Sequence, residues 1–153
     1  MSGRDHHREI EALLHRYAEA IDAGDFEAVG GLFANGAVCA PDGAAIAEGA
    51  GAVTRLYEST TRRYEDGTPR TRHIVTNVVV ELDADRRTAV ARSRFTVHQA
   101  TDSLVLQAII VGDYEDALEL LDDRWVFRRR VMRPVLLGDL SQHLLIDPGV
   151  WKR

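Results

Sequence analysis

The sequence predicts an α+β domain, with helices first and a long antiparallel sheet after them. Three observations predict it. Apolar residues recur at helical spacing near the start, strand-like runs fill the stretch from Thr71 onward, and those runs are joined only by short turns. The first helix is expected over residues 6–23, where Ile10, Leu13, Leu14, Tyr17, Ala18 and Ile21 form one apolar stripe and Gly24 offers a stop. Asp25 can cap a second helix over residues 26–33 that presents Phe26, Val29, Leu32 and Phe33. Two short strands, 37–40 and 44–47, flank the turn Pro41-Asp42-Gly43. A third helix opens at Gly49-Ala-Gly-Ala and is expected to reach Asp66-Gly67.

Four strands follow, over residues 71–82, 88–100, 104–121 and 124–135. Asp83-Ala-Asp-Arg, Thr101-Asp-Ser and Leu121-Asp-Asp are turns of the length a meander uses. Long curved strands with helices on one face can enclose a pocket. One domain over residues 1–140 is expected, with 141–153 as a loosely packed tail whose Leu144, Leu145, Ile146 and Trp151 could cover apolar surface.

The chain has 153 residues, 45% hydrophobic and 28% charged, which suits one soluble globular domain. No apolar run approaches the ~20 residues that span a bilayer, and the first seven residues hold no secretory core, so a cytoplasmic location without a membrane partner is expected. A net charge of −5 argues against a nucleic-acid partner. The triplet Arg128-Arg129-Arg130 reads as a solvated or interface edge, since strand residues alternate between faces. Cys39 is the only cysteine and reads as a buried free thiol.

Most chemical signatures fail. Gly49-Ala-Gly-Ala-Val lacks the third glycine of a dinucleotide fingerprint, because Thr54 stands in its place. His6, His7 and His15 lack metal-ligand spacing, and no nucleophile elbow occurs, so neither a metal nor a cofactor is expected.

Acid–base groups remain. Asp22 continues the row Leu14–Ala18–Asp22 at steps of four and so points toward the core. A buried carboxylate costs several kcal/mol unless it is paired. Either a distant histidine, His73 or His98, meets it, or it bonds local backbone in the turn at Gly24. His73 and Asn77 share a strand face, and two polar residues among Ile and Val suggest a pocket wall. His98 shares parity with Thr96, Arg94 and Arg92, which points it to the solvent face unless a bulge reverses the pattern.

Taken in order, these residues resemble the SnoaL-like branch of the nuclear transport factor 2-like superfamily. The resemblance rests on Tyr17-Ala-x-x-Ile-Asp22-Ala-Gly-Asp25, Leu32-Phe33, Gly49 before a helix and Arg72-His73-x-x-x-Asn77. Gly112-Asp-Tyr114-x-Asp116 and Arg124-Trp125-x-Phe-x-x-Arg130 complete it, over about residues 8–139. It implies a cone of three helices on a strongly curved antiparallel or mixed sheet that encloses a pocket. Within the branch the chain looks most like scytalone dehydratase and hexachlorocyclohexane dehydrochlorinase. Those families use an aspartate at the end of the first helix to hold a strand histidine, and Asp22 and His73 fall on those positions. The dehydratase adds a second histidine, matched by His98. Ile21 stands where that family has a tyrosine, Asp116 and Leu118 where it has a pocket serine and asparagine, and its second tyrosine is absent near Ala40.

The resemblance implies cofactor-free proton abstraction, with a dehydration or related elimination foremost. His73 would be the base, oriented by Asp22, with His98 as the acid. Tyr17 and Asn77 would bind a substrate oxygen, and Phe33, Leu56, Ile109 and Asp116 would help form the pocket for a small, largely hydrophobic cyclic or aromatic substrate. The alternatives are a polyketide cyclase or ketosteroid-isomerase-like enzyme with Asp22 as direct base, and a non-catalytic binding or assembly subunit. An outer sheet face with Val105, Ile109, Val111 and Trp125 is expected to drive self-association, as dimer or trimer.

Overall fold

The computed structural model describes residues 3–147 and 149. Helix α1 (His6–Asp22) is capped by Asp5, whose carboxylate accepts from the amide of Arg8. Helix α2 (Phe26–Gly31) is capped in the same way by Asp25. Strands β1 (Ala37–Cys39) and β2 (Ala45–Glu48) form a short hairpin, and α3 (Ala50–Thr60) starts behind Gly49, whose φ of 84° suits glycine.

Helix α3 ends earlier than expected. Thr61 turns extended and pairs with Leu144 across an isolated bridge, so residues 60–62 lie against the chain's C-terminal segment.

Strands β3 (Thr71–Leu82), β4 (Thr88–Thr101), β5 (Leu104–Leu121) and β6 (Arg124–Leu137) make the meander. The sheet is mixed and open, in the order β2-β1-β6-β5-β4-β3, with β1 parallel to β6 and every other pair antiparallel. Alternate residues of β4 are buried and exposed, as a sheet with one covered face requires. The covered face meets the stripe of α1, and Phe33 stacks on Phe127 at 4.9 Å in the core beneath. Among the described residues no helix is long and apolar enough to cross a membrane.

Bulges bend this sheet, and they change where side chains point. Between β4 and β5 the register shifts at Val97/His98, which makes Ile109 an extra residue on β5. Both Ile109 and Ile110 are consequently buried. A second shift, between Thr76 and Val79, places Asn77 at φ 54° in the left-handed region.

Three sequence expectations are corrected here. Ile109 and Trp125 are core residues and cannot supply an outer apolar face; Val105, Leu106, Val135 and Leu136 are the large exposed apolar residues of β5 and β6. Arg130 is not a surface charge but is fully buried, paired with Asp116. The segment after Gly138 is not loose, because Leu140, His143 and Leu144 are buried against the domain. Trp151 lies outside the described residues.

Candidate active site

Asp22 ends α1 facing the start of β3, and the carboxylate bonds the two elements together. Its Oδ1 accepts from Thr71 Oγ1 at 2.8 Å and from His73 Nδ1 at 2.6 Å, while Oδ2 accepts the His73 amide at 2.8 Å. Burial alone would raise the carboxyl pKa. The bonds from His73 and Thr71 outweigh it and hold the group below its ordinary value, so Asp22 is an anion at neutral pH. The turn at Gly24 uses backbone carbonyls instead, with Gly24 N donating to Ile21 O.

An anionic acceptor fixes the tautomer of His73. Nδ1 carries the hydrogen, and Nε2 is left as the basic atom of a ring that lines a cavity. The cavity is about 310 Å³ and its wall is mostly apolar. Leu56, Phe95, Val97, Ile110 and Leu144 form much of it.

The wall also carries hydroxyls. Tyr17 and Tyr57 touch through their hydroxyl oxygens, and Tyr17 Oη lies 3.6 Å from Met132 Sδ. Burial raises the pKa of both phenols, against a lowering pull from Arg130, so both stay protonated; one hydroxyl donates to the other, which leaves one hydrogen of the pair for a ligand. Arg130 lies behind them, 4.2 Å from the Tyr17 ring centre and 3.7 Å from that of Tyr114, in a two-bond pair with Asp116 at 2.8 Å each. Burial favours a neutral guanidine, but the Asp116 charge prevails and holds Arg130 protonated. That cation backs the tyrosines without reaching the cavity.

A second histidine does face the cavity, and it is His143. The segment carrying it is held by backbone bonds, with Arg62 N donating to His143 O and Leu145 N to Thr60 O. Burial, then the nearby His73, pushes its pKa down to about 4, with Asp22 pulling weakly the other way. His143 is neutral at physiological pH.

The predicted residues divide accordingly. Asp22 and His73 meet, and Tyr17 and Leu56 line the cavity with His73. His98 does not join them. The extra residue of the neighbouring bulge sits on β5, so alternation along β4 is unbroken; Val97 faces the cavity and His98 the other side, beside Arg72 and Ala108. Asn77 is exposed, because its bulge breaks the parity it would share with His73. Phe33 and Ile109 pack in the core, and Asp116 spends its carboxylate on Arg130, so none of the three lines the cavity. Tyr57 and His143 are the cavity groups that sequence reasoning missed. Tyr57 follows Val53 at a step of four on α3, an ordinary core spacing. The signal for His143 was a histidine set among Leu140, Leu144, Leu145 and Ile146 in a segment without periodicity. Among the described residues, no three His, Cys, Asp or Glu side chains converge as metal ligands would.

The SnoaL-like domain family matches residues 4–131 of this chain. The chain belongs to that family. No curated protein matches it in sequence. Solved structures similar to this SnoaL-like domain include Rv3472 of Mycobacterium tuberculosis, a protein of unknown function. It is 27% identical over 85% of this chain and 72% of its own, with a TM-score of 0.68. A provisionally assigned scytalone dehydratase from Novosphingobium aromaticivorans is 23% identical over 86% of this chain and 85% of its own, with a TM-score of 0.68. An NTF2-like protein with a cystatin-like fold, also from Novosphingobium aromaticivorans, is 21% identical over 95% and 85%, with a TM-score of 0.66. The SnoaL-like domain therefore has the NTF2-like fold.

Proposed function

We propose that this SnoaL-like domain is a cofactor-independent enzyme of the dehydratase-like lyase type, acting on a small, largely hydrophobic cyclic or aromatic substrate. The observation that carries the reading is the Asp22–His73 dyad, bonded at 2.6 Å, with the imidazole on the wall of an apolar cavity. His73 Nε2 takes a proton from carbon beside a carbonyl. The C–H electron pair passes into the enolate, and when it returns it expels a β-oxygen that leaves as water once protonated. Asp22 holds the ring in the required tautomer and balances the charge it acquires. Positioned acid–base groups contribute about 10²–10⁴ in rate each, and exclusion of water by the apolar wall strengthens the dyad. Direct proton abstraction by Asp22, the isomerase- or cyclase-like alternative, has less support, because three donors already occupy the carboxylate behind the cavity wall.

The test uses 2-tetralone, a bicyclic ketone with an acidic C–H, in D₂O. The wild-type protein should catalyse deuterium exchange beside the carbonyl above the buffer rate. His73→Ala should lower that exchange at least ~100-fold while its melting temperature stays measurable, and His98→Ala should leave it unchanged. Exchange no faster than in buffer, or undiminished in His73→Ala, refutes the reading.

A further inference from the structure

His143 shares the cavity with His73, yet its surroundings are opposite. His73 Nδ1 has a carboxylate acceptor at 2.6 Å, whereas His143 Nδ1 is fully buried with no hydrogen-bond partner. A buried N–H without an acceptor costs about 1–3 kcal/mol, and the polar neighbours bonded to this segment do not serve the ring. Tyr64 Oη donates to Gln142 O, and Gln99 Nε2 donates to the same oxygen. The hydrogen of the neutral imidazole is therefore assigned to Nε2, the other nitrogen of a ring that lines the cavity. Protonating the ring fully is disfavoured by its burial and by the charge His73 takes on.

The result is two imidazoles of opposite polarity facing one space. His73 presents a lone pair at Nε2, and His143 presents an N–H. We propose that His143 is the hydrogen-bond donor of this site, binding the substrate's carbonyl or leaving oxygen through Nε2–H. The proposal rests on the reading of His73 as base and supplies the donor partner that His98, on the far face of β4, cannot be. In the elimination, the proton lost by carbon passes to His73 Nε2. The His73 imidazolium returns that proton to the departing hydroxyl, which leaves as water, while the Nε2–H of His143 stays bonded to the oxygen and the His143 ring stays neutral.

The donor comes from the C-terminal segment, not from the sheet. Two backbone bonds fix it, Arg62 N to His143 O and Leu145 N to Thr60 O, and together they make the Thr61–Leu144 bridge. Leu140 and Leu144 on either side are buried, so the ring is held by packing as well as by bonds. The substrate class narrows accordingly. It must carry an oxygen acceptor on an otherwise apolar ring system, positioned a short way from the carbon that gives up the proton.

Two measurements test this. Long-range ¹H–¹⁵N NMR of the wild-type protein at pH 7 should show His73 protonated at Nδ1 and His143 at Nε2. His143 protonated at Nδ1, or on both nitrogens, overturns the proposal without any ligand. The second compares the affinities of 2-tetralone and tetralin, which differ by one carbonyl oxygen. The wild-type protein should prefer the ketone. His143→Phe should weaken ketone binding about tenfold with tetralin unchanged, and His143→Gln, whose amide can present an N–H, should recover part of the preference. A wild-type protein with no preference, or equal losses for both ligands, overturns it. His73→Ala should abolish exchange yet keep the ketone preference. If exchange survives that change while His143→Phe still loses the preference, the base assignment alone fails.

Discussion

Acidification should destabilise this protein through His143, by an amount that follows from its environment. The folded-state pKa is about 4 against an ordinary 6.5, because His143 is only 8% exposed and faces His73 on β3, against an upward pull from Asp22 of α1. Between those values the unfolded chain binds a proton that the folded chain refuses. Stability conferred by the neutral ring is thus complete above pH 6.5 and declines as pH falls toward about 4. At about 1.4 kcal/mol per pH unit, the window of 2.5 units between 6.5 and 4 amounts to about 3 kcal/mol. For a chain of this size that is about 6–12 °C in melting temperature. Asp22 does not blur the window. Its pKa is lowered in the fold, so its own contribution is present above the ordinary carboxyl value near 4 and is lost only as pH drops further. The assay is urea denaturation of wild-type and His143→Phe proteins from pH 7.5 to 4. The wild-type curve should fall about 3 kcal/mol further than that of the variant, since phenylalanine fills the place without titrating. Curves that stay parallel to within about 1 kcal/mol would refute the reasoning.

Two further predictions concern buried charge. Asp22→Asn keeps the shape but cannot accept from all three donors or balance a charged imidazole; it should lose about 1–3 kcal/mol of stability and at least ~100-fold in ketone exchange, read by denaturation and deuterium incorporation. Asp116→Leu strands the Arg130 guanidinium in an apolar site, so it should cost about 3–5 kcal/mol, with most of that recovered in the double variant Asp116→Leu/Arg130→Met. A single variant within 1 kcal/mol of wild type would contradict the assigned pairing.

The fold was readable because its elements carry regular periods. The stripe from Ile10 to Ile21 identified α1, and the turn sequences placed all four long strands to within two residues. The meeting of Asp22 and His73 was also within reach, since a step of four on a helix and the start of a strand both survive folding unchanged. What escaped lies where the period breaks. The bulge at Asn77 turned an inward polar residue outward, and the extra residue at Ile109 gave the cavity to Ile110. For His98 the bare alternation with Arg92 and Arg94 pointed to the correct face, and the family resemblance drew the reading away from it. Arg130 was hidden differently. It sits among three arginines, and nothing in a local pattern reveals that one of them faces Asp116, fourteen residues back, across the β5–β6 ladder.

His143 lies in the part of the chain with no period at all, and this bears on how the site works. A sheet histidine is held by its ladder and by whatever partner the adjacent helix brings, as Asp22 does for His73. A histidine on an irregular segment has its polar partners chosen one by one, and here the ring received none at Nδ1. Leaving one imidazole without an acceptor, beside another that has a carboxylate, separates their protonation behaviour more than distance could. The same apolar wall that keeps His143 neutral also raises the cost of any charge not balanced by Asp22. Charge created in this cavity therefore has one favourable location, the His73 ring. An oxygen anion generated in the same cavity is supported by neutral donors, the tyrosine pair and the Nε2–H proposed for His143.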